Sequence, residues 1–185
     1  MQNSFYSESE LNEIGLKSFG KNVLLSRKCS IYSPEKIVIG DNVRIDDFCI
    51  LSGDITLGSN IHISAFCALY GSKGIVIEDY SGMSPRSIIF SAVDDFSGEY
   101  LIGPVHPKDL TNVAGETVVL KKFVQLGANT IVMPGITIET GAVTGAMTFV
   151  NKNLAQWTIN VGIPVNKTFA RKRTILDKLR NFNIL

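Results

Sequence analysis

Histidine is nearly absent from this sequence: His62 and His106 stand alone among 185 residues. A metal site built from clustered imidazoles is therefore not expected. Cysteine is scarce as well. Cys29, Cys49 and Cys67 cannot all pair and form no Cys-x-x-Cys, which excludes a disulfide framework and a structural zinc knot. Neither sign of charge dominates, with 18 Lys+Arg against 17 Asp+Glu, so there is no global footprint for nucleic acid. Long hydrophobic runs are missing too. A long uncharged stretch, Phe123 to Ile138, contains Gln125, Gly127, Asn129, Pro134 and Gly135, too short and too polar for a spanning helix. The first twenty residues carry Glu8, Glu10 and Glu13 and lack the apolar segment of a secretory signal. The expectation is one cytoplasmic domain with no membrane insertion and no metal.

What the sequence does have is a period. An aliphatic residue returns every six positions at Ile39, Ile45, Leu51, Leu57, Ile63 and Leu69. After a two-residue slip it resumes at Ile77, Met83 and Ile89, and it returns at Leu120, Leu126, Val132, Ile138, Thr144 and Val150. Leu25 and Ile31 start the series, with another slip before Ile39. Of these 17 anchors, 16 are Ile, Leu, Val or Met. Four places after them sits a second column of small or aliphatic residues, among them Cys29, Val43, Cys49, Ile61, Cys67, Ser87, Thr130 and Thr148. A six-residue period is too long for a helical turn and too regular for a mixed sheet. It fits a parallel β-helix of short strands and tight corners.

The stretches Ile39-Gly40-Asp41-Asn42-Val43 and Leu126-Gly127-Ala128-Asn129-Thr130 resemble the hexapeptide-repeat acyltransferases. Val161-Gly162-Ile163-Pro164-Val165 is similar to the Gly-x-Pro segment closing the coil in the sugar and xenobiotic acetyltransferase branch. The resemblance implies an all-β fold, a left-handed parallel β-helix over residues 21–166, with three hexapeptides per turn and nearly six coils. If the anchors are named A, B and C in turn from Ile39, both slips and the interruption at 91–119 follow C-type anchors, so all three protrude along one edge. The loop's Phe90, Phe96, Tyr100 and Leu101 suit docking on a surface. Outside the coil, Ser7-Glu8-Ser9-Glu10 reads as a capping box opening a short helix through Ile14 (residues 1–20 forming a cap), and the basic tail 167–185 reads as a second helix, from Lys167 to Phe182. The cysteines all follow B-type anchors and read as small buried packing residues.

Acyl transfer needs a base for the acceptor and donors for the developing oxyanion. In the branch named above that base is a histidine entering the protruding loop, but the matching stretch here reads Ser91-Ala92-Val93-Asp94-Asp95. His62, on an outward-facing corner, is the favoured replacement; His106 is a second choice, and a sugar amine needing little basic assistance is a third. Asp94 and Asp95 at the loop mouth suit the orienting of a histidine or the binding of an acceptor. His62 and Asp94 belong to different corners and meet only across subunits, which the trimeric family allows. By resemblance Gly127, Ala128, Gly145 and Ala146 line the pantetheine groove, with Gly162 and Pro164 near the adenine. The basic end, through Lys167 and Arg171, suits the coenzyme phosphates.

The reading is a homotrimeric transferase moving acetyl from acetyl-CoA to a sugar hydroxyl in surface polysaccharide (O-antigen, capsule or lipopolysaccharide) synthesis, its sites lying between subunits and its acceptor a sugar or nucleotide sugar. Two alternatives stand beside it. One is N-acylation of a nucleotide-linked amino sugar; the other is a non-catalytic β-helix scaffold.

Overall fold

In the computed structural model, which describes residues 4–182, the six-residue period becomes a parallel β-helix with three faces. The first face stacks Ser18–Phe19, Ile37–Ile39, 55–57, 75–77, Val118–Leu120 and Thr137–Ile138. The second stacks Leu24–Leu25, Val43–Ile45, Ile61–Ile63, Gly82–Met83, Gln125–Leu126, Val143–Thr144 and Thr158–Gly162. The third stacks Ser30–Tyr32, 50–52, 68–70, Ile88–Phe90, Ile131–Val132 and Phe149–Val150. All of these pairings are parallel. Phe19 supplies an anchor that the periodicity missed, pairing with Ile39, so the coils number six with the start of a seventh at Leu154 and Asn160.

Every anchor but Ile31 is buried, and Ile31 packs against the core as a half-buried residue. Alternation explains why three residues suffice per face: in Val43–Ile45 and Ile61–Ile63 the outer two side chains enter the core and the middle one points out. The second column explains the cysteines. Cys29 Sγ donates to Asp46 O (3.2 Å), Cys49 Sγ to Ser64 O (3.1 Å) and Cys67 Sγ to Ser84 O (3.2 Å). Higher in the same column Ser87 Oγ donates to Gly127 O (3.0 Å) and Thr148 Oγ1 to Gly145 O (2.8 Å). Each corner after the second face turns a carbonyl inward, and a buried carbonyl without a donor is costly. Thiol and hydroxyl perform the same service in this column, and all three cysteines are free.

Corners are set by residues with positive φ. Between the first and second faces these are Asn22, Asn42 and Asn60, then Tyr80, Phe123, Gly141 and Trp157. Asparagine tolerates that conformation, and its amides join the coils: Asn22 Nδ2 donates to Asn42 Oδ1 at 2.9 Å. Aromatic residues are disfavoured there. Stacking offsets the cost, with ring centroids 5.3 Å apart for Tyr80–Phe123 and 6.2 Å for Phe123–Trp157.

Both ends of the solenoid are covered. Helix α1 (Glu8–Ile14) has the expected capping box, with Ser7 and Glu10 bonded reciprocally and Gly15 left-handed at its end, and it buries Leu11 in the core. The tail departs from expectation. Lys167 lies in a strand, Val165–Ala170, antiparallel to Thr158–Gly162, and helix α2 begins only at Thr174 and ends at Asn181. An uncovered last strand would expose a row of unpaired backbone groups, and this return strand satisfies them. Beneath it the second-face core turns polar: Asn160 is buried, with Nδ2 to Thr158 Oγ1 (2.9 Å) and Oδ1 accepting from Thr168 Oγ1 (3.0 Å). The part of the expected C-terminal segment beyond residue 182 lies outside the described residues.

Candidate active site

Both slips and the long interruption fall on the edge between the third and first faces. The interruption is an extended β-hairpin: Ala92–Asp94 pairs antiparallel with Val113–Gly115, and Asp95 N donates to Asn112 O (2.9 Å). Its far end exposes Phe96, Leu101, Ile102 and Val105.

The hairpin leans over the third face and borders an open cleft of about 560 Å³. The floor is the stacked pair Tyr70–Phe90, whose centroids are 5.3 Å apart. Val93, Pro104 and Val113 line the walls, and Asp94 brings the carboxylate. Asp94 Oδ1 has one long hydrogen bond, from Gly103 N at 3.4 Å. Asp95 behaves otherwise. Ser97 N (2.7 Å) and Asn112 Nδ2 (2.9 Å) bond its carboxylate, and these donors, Ser97 foremost, hold its pKa below the ordinary range. Asp95 therefore ties the hairpin together, and the adjacent pair divides into one bonded carboxylate and one presented to the cavity.

His62 is not at a corner. It is the outward residue in the middle of Ile61–Ile63 on the second face, with Nε2 2.8 Å from Asp46 Oδ2. Asp46 also accepts from Arg44 Nε at 2.7 Å. Burial pushes the Asp46 carboxyl up, but the bonds from Arg44 and His62 outweigh it and the pKa falls. His62 and Asp94 thus lie on different faces of one chain, as the register requires. His106 precedes the 3-10 turn Lys108–Leu110 in the hairpin's far end.

The third group is the edge between the second and third faces. Gly127 and Ala128 are half-buried there, with Gly145 above them and Ala146 exposed. A Cβ on Gly127 would stand 2.5 Å from Gly145 C, so the coil spacing itself demands that glycine, whereas one on Gly145 would meet the Val161 side chain, 2.6 Å from Cγ1. Beside them opens a groove of about 340 Å³ lined by Arg86, Asn129, Ile131, Met147, Phe149 and Ile163, largely apolar with one guanidinium. Gly162, at φ 126, and Pro164 make the turn above it. Lys167 sits opposite Val161 on the return strand, exposed. Arg171 is on a different edge. Its Nη1 donates to Phe123 O (3.0 Å) and Gly141 O (2.8 Å), its guanidinium lies 5.7 Å from the Trp157 ring, and burial lowers its pKa. Arg171 is thus committed to pinning the return strand to the aromatic corner.

Sequence reasoning missed Tyr70, and it named Phe90 only among the aromatic residues suited to docking on a surface. Both follow a C-type anchor by one place, flanking the protruding segments, and that shared register was the signal available.

No family profile matches the chain. It is 38% identical over 177 residues to the dTDP-4-amino-4,6-dideoxy-D-glucose acyltransferase of Escherichia coli, covering 94% of this chain and 92% of that one. The chain belongs to the hexapeptide-repeat acyltransferase family. Among solved structures it is similar to AntD, an N-acyltransferase from Bacillus cereus. The S84T variant of AntD, in complex with dTDP and coenzyme A, is 50% identical, covers 99% of this chain and 98% of its own, and superposes with a TM-score of 0.95. AntD in complex with dTDP and 3-hydroxybutyryl-CoA gives 51%, 98%, 97% and 0.94. A D94N variant of AntD has also been solved. A hexapeptide-repeat acetyltransferase from Vibrio cholerae, 17% identical with a TM-score of 0.60, shares the fold alone. The fold is the family's left-handed β-helix, and the protein is an acyltransferase that uses a coenzyme A thioester. Of the acceptors expected, these relatives, an amino-sugar acyltransferase and an N-acyltransferase, match the amino-sugar alternative better than the hydroxyl.

Proposed function

We propose that this protein transfers an acyl group from a coenzyme A thioester to the amine of a dTDP-linked 4-amino-4,6-dideoxy sugar. The observation that carries the reading is Asp94, a carboxylate with a single long hydrogen bond facing an aromatic-floored cavity. An amine attacks a thioester with its own lone pair, so no base is required before attack. The C–N bond forms, the carbonyl electrons move onto oxygen, and the nitrogen becomes strongly acidic. Asp94 accepts that proton. Collapse of the intermediate breaks the C–S bond, and the proton passes to the departing thiolate, giving an amide and free coenzyme A. A loop histidine is dispensable in such a scheme, in keeping with Ser91-Ala92-Val93-Asp94-Asp95 at the hairpin's start.

AntD supports the assignment: its solved variants replace Ser84 and Asp94, and this chain carries a serine and an aspartate at the same numbers. The groove beside Gly127 and Gly145 suits the pantetheine arm, being apolar, with Arg86 at one side for a phosphate. In this reading the molecule is a homotrimer with the hairpin of one copy over the neighbouring prism. The exposed Phe96, Leu101, Ile102 and Val105 on the hairpin, with Phe48, Phe66, Met147 and Ile163 on and beside the opposite edge, supply apolar surface for that contact. A role in surface polysaccharide synthesis in the cytoplasm follows from the acceptor class.

The test is thiol release from acetyl-CoA in the presence of dTDP-4-amino-4,6-dideoxyglucose, with the product treated with hydroxylamine. An amide survives that treatment and an ester does not. Thiol release with a hydroxylamine-labile product, or none with any amino sugar, overturns the reading.

A further inference from the structure

A second cleft, of about 490 Å³, adjoins the one beside Asp94, and Val93 lines both. Ala114, paired with Val93 across the hairpin, borders it with Glu116 and the corner Met133-Pro134-Gly135. Met133 joins this cleft to the groove assigned to pantetheine. It stands two places after Ile131, which lines that groove, and the buried Val132 between them puts both on the outer side of one row, about 6–7 Å apart. Every side chain bordering the second cleft is apolar except Glu116. Gly135, at φ 74, gives that side chain its room: a Cβ there would stand 3.2 Å from Glu116 Oε2. Gly135 N also donates to Glu116 O (3.2 Å), holding the Glu116 backbone against this corner. The Glu116 carboxylate itself has no protein partner among the described residues.

We infer that this cleft receives the acyl chain of the donor and that Glu116 selects a short chain bearing a hydroxyl. A thioester carbonyl held at Asp94 has its alkyl substituent beside Val93, at the mouth of the second cleft. An acetyl methyl is far smaller than the space beyond it, whereas a chain of a few carbons reaches Ala114 and Met133. The unbranched thioether of Met133 adapts to such a chain. A carboxylate only accepts hydrogen bonds, so the one polar group of the cleft calls for a donor on the ligand. A hydroxyl meets that demand, and a chain ending in its own carboxylate is repelled. Glu116 takes no part in proton transfer; it is a specificity-determining residue. The inference rests on the N-acyl reading, since it takes Asp94 as the place where the thioester reacts.

The experiment measures kcat/KM for acetyl-CoA, butyryl-CoA and 3-hydroxybutyryl-CoA on the full chain, with dTDP-4-amino-4,6-dideoxyglucose saturating. Wild type is compared with Glu116→Ala, Glu116→Gln and Ala114→Leu. Each result is a ratio of donors within one protein, so a partly folded variant does not distort it. Wild type favours 3-hydroxybutyryl-CoA over butyryl-CoA by about tenfold or more, the worth of one hydrogen bond to a charged acceptor. Glu116→Ala brings that ratio close to one, and Glu116→Gln, which keeps an acceptor oxygen, falls between. Ala114→Leu fills the cleft and lowers 3-hydroxybutyryl-CoA relative to acetyl-CoA by about tenfold or more. A wild-type hydroxybutyryl-to-butyryl ratio within about twofold of one, or one that survives Glu116→Ala, overturns the inference while the N-acyl reading stands. An Ala114→Leu donor ratio equal to that of wild type does the same, because the chain then lies elsewhere. Wild type without turnover on any of the three donors removes the reading and this inference with it.

Discussion

Thr144 is the one anchor among the 17 that is not aliphatic, and replacing it with valine restores the repeat at equal volume. Read from the pattern alone, Thr144→Val is neutral or stabilising. The structure argues the opposite. Thr144 is buried, and its Oγ1 accepts from Gly127 N at 2.9 Å and lies 2.8 Å from Thr130 Oγ1. Elsewhere in this column the amide after the anchor bonds to a main-chain carbonyl, as Gly145 N does to Asn160 O (2.9 Å). At Gly127 the threonine side chain has taken over. Thr130 keeps its bond to Gly127 O at 2.7 Å in the variant, so the loss is confined to one half-buried amide left without its acceptor. That costs about 1–3 kcal/mol, and burying a methyl group for a hydroxyl regains up to about 1 kcal/mol, for a central net loss of about 1–2 kcal/mol. For a chain of this size each kcal/mol lowers Tm by about 2–4 °C, so the expected fall is on the order of 2–8 °C. Differential scanning calorimetry of wild type and variant at one protein concentration reads it directly. An unchanged or raised Tm would refute the claim that hydrogen bonding, not aliphatic packing, selects this residue. Because Gly127 borders the proposed pantetheine groove, the variant is also expected to weaken coenzyme A binding in isothermal titration, and the Thr130→Val control, which leaves Gly127 N paired, is not.

Asp94→Asn keeps the Gly103 N–H bond and the cavity shape, so it is expected to lower kcat by about 10²–10⁴ with Tm unchanged; a loss under tenfold argues against proton transfer through Asp94. Cys67→Ser is expected to fold with near-normal stability, because Ser87 already donates to a corner carbonyl in the coil above, whereas Cys67→Val leaves Ser84 O unpaired and lowers Tm by several degrees. Glu10 accepts from Arg27 Nη2, Ser7 Oγ and Ser7 N, and these bonds, Arg27 first, hold its pKa at about 2 against an ordinary 4.5. A lowered folded pKa means the contribution is full above pH 4.5 and is lost as pH falls toward 2. The Tm difference between wild type and Glu10→Gln should therefore be present at neutral pH and vanish near pH 2; a difference independent of pH would show that the carboxylate charge is not what secures the N-terminal cap.

The sequence by itself determined the coil. A six-residue period is a local property, since each hexapeptide makes one face and its anchor must point inward, so burial of Leu25, Ile63 or Leu126 follows from position alone. The edge carrying all three excursions was readable in the same way, because corners are counted in units of six. The capping box of Ser7 and Glu10 is likewise local chemistry. What the tertiary structure decided depends on which residues distant in the chain come together, a separation of 15 residues or more that no short motif records. Asp94 and Asp95 are adjacent in the chain, and only the pairing of Ala92–Asp94 with Val113–Gly115 shows that Asn112 and Ser97 take Asp95 while Asp94 faces the Tyr70–Phe90 floor. Arg171 looked like a phosphate ligand in a basic tail, and the return strand turns it onto two carbonyls. The tail itself had the apolar spacing of a helix from Lys167 onward. An open sheet edge at Thr158–Gly162 outweighed that propensity, since unpaired backbone groups along a strand cost more than a helical turn gains.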